Sequence, residues 1–208
     1  MRQATMKAAG LLYVLSAPSG AGKTSISREL LARRPQLRES ISYTTRARRD
    51  GEQDGIDYHF VSREEFERMV AADAFVEWAR VHGNCYGTAR ATITEALKQG
   101  HDLLLDIDVQ GAAQLRASGL DGVFIFILPP DMAELRKRLH FRNTDADEVI
   151  DRRLANAAGE IAGAVDFDYL VVNDDLAQAV QTVEAIMGAE QARTRRVLPQ
   201  LPAEFGLK

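Results

Sequence analysis

One stretch limits the fold of this chain more than any other. The run Leu11 to Ser16 is apolar up to its last residue and leads straight into Ala17-Pro18-Ser19-Gly20-Ala21-Gly22-Lys23-Thr24, after which the spacing of apolar residues turns helical. A strand, a glycine-rich turn and a helix in that order leave the first N–H groups of the helix unpaired at the turn, where they cradle phosphate oxygens. In such a loop Lys23 reaches the β and γ oxygens of a triphosphate, and Thr24 offers its hydroxyl to magnesium. The usual first glycine of the pattern is Ala17 here, which fits if its φ is negative; Gly20 and Gly22 are the residues expected to supply left-handed backbone. With glycine near ~7% of residues, a chance G-x-G-K-[ST] arises in only about one chain per hundred of this length, so a phosphate loop outweighs a chance turn.

The rest of the chain continues the alternation. Apolar runs at Leu103 to Ile107, Val123 to Leu128 and Tyr169 to Val172 alternate with helical spacing at Lys23 to Arg34, Val109 to Ala117, Met132 to Phe141, Glu148 to Ala162 and Leu176 to Arg193. Runs that are apolar throughout belong in a sheet covered on both faces, so the expected class is α/β, a P-loop NTPase-like parallel sheet flanked by helices. Ser62 with Glu65 and Asp131 with Glu134 have capping-box spacing, and Pro129-Pro130 closes a strand. The run Leu103-Leu104-Leu105 ends in Asp106, where P-loop enzymes keep the acid of the magnesium shell. A length of 208 residues fits one domain.

Between residues 38 and 88 the runs become shorter and mixed in polarity, at Ile41 to Tyr43, Tyr58 to Val61 and Phe75 to Val81, with turn signals at Asp50-Gly51, Asp54-Gly55 and Gly83-Asn84. This reads as a small strand-rich insertion. A second irregular stretch, Arg142 to Glu148, joins two charged helices as a mobile cover, and residues 1 to 9 read as a loose tail. The formal net charge of -4 argues against a nucleic-acid partner, and no apolar run approaches the ~20 residues that span a bilayer, so no membrane partner is expected. The single Cys allows no internal disulfide and points to a reducing, cytoplasmic setting. Cations nevertheless cluster, at Arg46, Arg48 and Arg49 and again at Arg136 to Arg138, Arg142, Arg152 and Arg153. Such runs are either anion sites or helix faces paired with Glu134, Asp147, Glu148 and Asp151.

Five segments in order, Ser42 to Glu52, Gly55 to Phe60, Phe75 to Ala79, Gly83 to Thr88 and Leu105 to Gly111, together with the loop, resemble the guanylate kinase family from about Leu11 to Asp175. The resemblance implies transfer of the γ-phosphoryl of ATP to GMP, and to dGMP, giving ADP and GDP in purine nucleotide metabolism. It implies a core at 10–37, 89–141 and 164–196, a GMP-binding subdomain at 38–88, a lid at 142–163, and Mg2+ arriving with ATP. Carried over by position, Arg46, Arg49, Tyr58 and Tyr86 hold the GMP phosphate. Glu77 and Asp108 accept from the guanine edge, and Ser42 and Thr88 are hydroxyl partners of its O6. Arg138, Arg142 and Arg153 become lid arginines, Arg138 on the ATP side, and Asn173 lies beside adenine. Lys23, Arg46, Arg142 and Arg153 become the groups that stabilise the transfer.

The residue types agree with that chemistry. Guanine presents N1–H and an exocyclic amine, both donors, so carboxylate acceptors suit it and reject adenine. The GMP phosphate is itself a nucleophile, so transfer needs positioning and charge neutralisation but no general base. Taken singly, Glu77 reads equally as a solvated strand face, Asp108 as a helix cap, and both tyrosines as half-buried strand residues. Two positions depart from the family pattern: Arg48 replaces a proline, and Cys85 replaces a tyrosine and reads as a small apolar residue despite His82 nearby. The four His have no metal-ligand spacing. Two rival readings stay open, a guanylate-kinase-like interaction module and a kinase with another phosphorylated acceptor. Lys23 and Thr24 oppose the first and Glu77 with Asp108 the second. A homo-oligomer also stays open.

Overall fold

The computed structural model describes residues 9–81, 83–142 and 147–207. The tail at 1 to 8, His82 and the middle of the irregular stretch, 143 to 146, lie outside the described residues. In chain order the elements are β1 (Leu12–Ser16), α1 (Lys23–Arg33), β2 (Leu37–Glu39), β3 (Tyr43–Thr44), β4 (His59–Phe60), α2 (Arg63–Ala71), β5 (Phe75–Val81), β6 (Asn84–Ala89) and α3 (Arg90–Lys98). There follow β7 (Asp102–Asp106), α4 (Val109–Ala117), β8 (Val123–Leu128), α5 (Met132–Arg142), α6 (Asp147–Ala162), β9 (Tyr169–Val172) and α7 (Leu176–Gln191).

Five strands form a parallel sheet in the order β2-β7-β1-β8-β9. Alternate side chains of each strand leave by opposite faces. Tyr13, Leu15, Leu104, Ile125 and Ile127 pack with α1 and α7 through Ile26, Leu30, Val180 and Val183. Leu12, Val14, Leu103, Leu105 and Phe124 pack on the other side with Ile93 of α3 and Ala112 and Leu115 of α4. Burial on both faces is the reason β1, β7 and β8 read as apolar runs, whereas β9 at the sheet edge is apolar yet leaves Leu170 and Val172 exposed; the expected α/β class is borne out.

The insertion carries its own sheet, in the order β4-β3-β6-β5. Its core is small: Phe66, Phe75, Cys85 and Ala89, with Phe66 stacked on Phe75 at 4.6 Å between ring centroids. Cys85 is buried there, in keeping with a small apolar residue. Residues 38 and 39 belong to β2 and pair with β7 of the main sheet.

Among the described residues, helices α2 and α3 and the single turn Thr194–Val197 lie outside the apolar-periodic segments. The two longer helices each have an apolar stripe at i, i+3 and i+4, Phe66, Met69 and Val70 in α2 and Ile93, Ala96 and Leu97 in α3, but at nine residues each falls short of the window over which helical periodicity is read. The start of α2 is nevertheless written in the sequence, since Ser62 Oγ accepts the Glu65 N–H at 3.1 Å. Asp131 likewise accepts from Glu134 N at 2.7 Å at the start of α5. Helices α5 and α6 pack on each other through Leu135, Leu139, Ile150 and Ala157. Both ends of the stretch read as irregular are helical: Arg142 ends α5, and residues 147 and 148 open α6.

Candidate active site

The loop between β1 and α1 has the backbone its glycines imply. Gly20 and Gly22 have φ of 94° and 98°, and among the described residues Asp73 is the only non-glycine at positive φ, so Ala17 sits at negative φ as expected. A Cβ on Gly22 would lie 2.2 Å from Asn173 Nδ2, which donates to Ala21 O at 2.7 Å. Asn173, buried at the end of β9, thus braces the loop from behind. Arg138 donates to Asn173 O at 2.9 Å and to Glu134 Oε1 at 3.0 Å. Arg138, Asn173, Gly20 and Gly22 line one cavity of about 400 Å3, of a size to take a nucleoside. The helix α1 begins at Lys23 with no side-chain cap on its N–H groups, and Thr24 is exposed on its first turn. Pro18 and Ser19 complete the turn, Ala21 N bonding back to Pro18 O at 3.1 Å.

Lys23 reaches across to the end of β7. Its ammonium is ion-paired with Asp106 and donates to Ile107 O at 2.8 Å. Asp106 also borders a second cavity, about 430 Å3, together with Ser42 and Tyr58 of the insertion. Glu39 lines that cavity too, and burial, reinforced by Asp106 and Asp57, raises its pKa.

The acceptor-side residues fall into two groups. In the first, Arg46 pairs with Glu52 at 2.7 Å and lies 5.4 Å from the centre of the Tyr58 ring. The Tyr86 hydroxyl lies near enough to favour the charged Arg46 guanidinium, and the Tyr58 and Tyr86 rings meet edge-on at 6.0 Å. Glu52 also accepts the Arg49 N–H at 2.8 Å; its pairing with Arg46 and this backbone bond hold its carboxyl below the usual range. The Arg49 side chain is exposed.

In the second group, Glu77 is only 7% exposed, so it is not a solvated strand face. Thr88, its register partner across the β5–β6 hairpin, donates to it at 2.5 Å. Burial raises the Glu77 pKa, the Thr88 bond opposes this, and the negative charge of Asp108 adds to the rise. Asp108 caps α4, accepting Gly111 N at 2.8 Å, as its plain reading has it. The cap occupies one oxygen and leaves the exposed carboxylate further acceptor capacity.

The helix pair α5–α6 supplies the third side. Arg153 donates to Ser19 Oγ at 2.9 Å, so α6 touches the phosphate loop directly. The side chain of Arg142 lies outside the described residues. Arg136 pairs with Asp151 at 2.5 Å, so that part of the basic run is a paired helix face. The sequence reading assigned no role to Glu160, which lies near the Ser19 backbone, Lys23 and Asp108 and has a raised pKa, chiefly through burial. Its Oε2 is buried without a hydrogen-bond partner among the described residues. The seven-residue step from Arg153 puts Glu160 on the same face of α6, and that spacing was the available signal. Glu52 was also missed as a partner of Arg46, although a Gly51 turn (φ 89°) between Arg49 and Glu52 marks the reversal that returns it. Among the described residues no cluster of three His, Cys, Asp or Glu forms a metal site, and no helix is long and apolar enough to cross a membrane.

The same arrangement has relatives. A family model described as guanylate kinase matches residues 10–190. A guanylate kinase of Syntrophotalea carbinolica is 60% identical over 192 residues, covering 92% of this chain and 91% of the relative. One of Geobacter sulfurreducens is 54% identical over 202 residues, 97% of this chain and 100% of the relative. The crystal structure of guanylate kinase from Anaplasma phagocytophilum superposes with a TM-score of 0.73 at 35% identity, covering 99% of this chain and 100% of that one. Sequence identity over nearly the whole chain and a shared fold lead to one statement: this chain belongs to the guanylate kinase family.

Proposed function

We propose that the chain transfers the γ-phosphoryl group of ATP to GMP, with dGMP as a second acceptor, giving ADP and GDP in cytoplasmic purine nucleotide metabolism. One observation carries the reading: three consecutive residues join the donor side to the acceptor side. Asp106 and the Ile107 carbonyl hold Lys23, and Asp108 faces Glu77. A triphosphate in the loop and a purine at the carboxylates would therefore meet over the β7–α4 junction.

In this reading the loop amides from Ser19 to Thr24 and the Lys23 ammonium hold the triphosphate, and Lys23 leaves Asp106 to do so. The cavity at Arg138 and Asn173 takes the adenine. Arg46, Arg49, Tyr58 and Tyr86 hold the acceptor phosphate in line, while Glu77 and Asp108 accept from guanine. Ser42 serves O6. Thr88 is already committed as donor to Glu77, so its part is to keep that carboxylate ionised and aimed. Arg153, with Arg142, neutralises charge on the transferring group from α6. Residues 38–88, apart from 38 and 39 in β2 of the main sheet, form the GMP-binding unit, 142–163 the lid, and the remainder the core. Transfer breaks the bond between the β–γ bridging oxygen and the γ-phosphorus and forms one from a GMP phosphate oxygen; no proton need be removed first. Isolated oxygen donors, Thr24 and Asp106, suit a magnesium ion that keeps phosphate and water as its other ligands. When bound it neutralises charge on the triphosphate.

The test is ADP formation with GMP, dGMP, IMP, AMP, UMP and dTMP as acceptors. GMP should lead and AMP should be slower by orders of magnitude. AMP equal to or better than GMP would overturn the assignment of Glu77 and Asp108.

A further inference from the structure

Four consecutive residues of β5 face four different surroundings. Phe75 packs in the core of the insertion, and Val76 is buried in the main core with Ile93, Leu105 and Leu115. Glu77 meets Thr88, and Trp78 presents its backbone to α4. The pairing of β5 with β6 shifts register between Phe75 and Glu77, an irregularity that re-aims side chains. β5 is also the edge strand of its sheet, so among the described residues its outer N–H and C=O groups have no strand partner.

At Trp78 a side chain supplies that partner. Gln114 of α4 accepts the Trp78 N–H at 3.0 Å and donates to the Trp78 carbonyl at 3.1 Å, so one amide mimics a residue of a neighbouring strand. The helix that carries Gln114 is the one capped by Asp108. Its first turn lies against Glu77, since a Cβ on Gly111 would stand 3.1 Å from Glu77 Oε2 and 3.5 Å from Asp108 Oδ1. Glu77 belongs to the insertion and Asp108 to the main sheet, so their separation depends on how β5 sits on α4.

We propose that Gln114 is a positioning residue for guanine selectivity: its two-point bond to Trp78 fixes β5 on α4 and so sets the spacing of Glu77 and Asp108. The inference rests on the reading of those two carboxylates as the guanine acceptors. Gln114 itself does not touch the substrate. Its effect is a spacing effect, strongest on a base that uses both acceptors at once. Guanine, with N1–H and an amine, does so; hypoxanthine, lacking the amine, does so less.

The experiment compares Gln114→Met, of similar length without the amide, and Gln114→Glu, which can still accept the Trp78 N–H, with Glu77→Gln as reference. Both hydrogen bonds are exposed, so the fold survives their loss. Expected for Gln114→Met are a three- to tenfold higher KM for GMP, a smaller preference for GMP over IMP, an unchanged KM for ATP and an unchanged melting temperature. Gln114→Glu should fall between Gln114→Met and the unaltered protein. If Gln114→Met keeps the GMP KM and the GMP to IMP ratio while Glu77→Gln loses GMP, Gln114 merely covers a strand edge and the inference fails alone. A parallel rise in both KM values with a lower melting temperature overturns it as general loosening. Unchanged GMP use in Glu77→Gln removes the guanine reading beneath it.

Discussion

Replacing Thr88 by Val tests the guanine pocket without changing its shape. The Thr88 hydroxyl is fully buried and donates to the Glu77 carboxylate at 2.5 Å, and Glu77 is 7% exposed. Valine substitutes a methyl for the hydroxyl and leaves a buried anion without that donor. A hydrogen bond to a charged group contributes about 1.5–3 kcal/mol, or roughly ten- to a hundredfold in a binding constant. The loss has a definite sign. Burial and Asp108 already push the Glu77 pKa above 4.5, and the Thr88 hydroxyl is the larger of the two forces that lower it, the Thr88 backbone being the other. In Thr88→Val the pKa rises further, so more of the protein carries a neutral Glu77 that no longer offers two acceptors. The KM for GMP should rise about tenfold or more near neutral pH, with the KM for ATP unchanged. The acid-side fall in kcat/KM for GMP should begin at higher pH than for an ordinary carboxylate, and at higher pH still in the variant. Stability follows the same linkage: folded Glu77 binds its proton more tightly than unfolded Glu77. Its contribution therefore falls as pH rises from the unfolded value through the folded one. Initial rates against GMP at several pH values read all of this. A wild-type GMP KM with an unmoved acid limb would refute the reasoning.

Gly22→Ala should raise the KM for ATP more than tenfold and leave GMP binding intact, because its φ of 98° and a Cβ 2.2 Å from Asn173 Nδ2 strain the loop; the backbone alone costs about 1–2 kcal/mol. Calorimetric ATP titration and a thermal melt measure both. Glu160→Gln removes a negative charge beside Lys23 from the place a triphosphate must approach, so ATP affinity should increase severalfold; weaker ATP binding would show that the carboxylate serves the loop instead. Chelating magnesium should abolish transfer and spare GMP binding, as followed by GDP formation and equilibrium titration.

The sequence made the donor side plain because its signals are local. The phosphate loop lies within eight consecutive residues, its strand is apolar on both faces, and the two unusual φ values fall on glycines. Asp106 was legible as a strand-terminal acid, though its pairing with Lys23, across the sheet from β7 to α1, was not. The acceptor side depended on the family resemblance, since each of its residues has an ordinary reading. For Glu77 the structure overturns that reading by burial; for Asp108 the helix cap and an outward-facing carboxylate coexist. What stayed hidden is long-range and polar. Gln114 meets Trp78 over 36 positions of sequence, and Glu160 meets Ser19 through the packing of α6. Helices α2 and α3 escaped because each is nine residues long, so its i, i+3, i+4 apolar stripe makes a single turn.

The central claim is that one cleft holds both nucleotides with their phosphates end to end. A bisubstrate compound, adenosine and guanosine bridged by five phosphates, tests it most directly by calorimetry and competition. The account predicts one molecule per chain, bound far more tightly than either nucleotide and displacing ATP and GMP together. A compound that displaces only one of them, or binds no better than ATP alone, would contradict it.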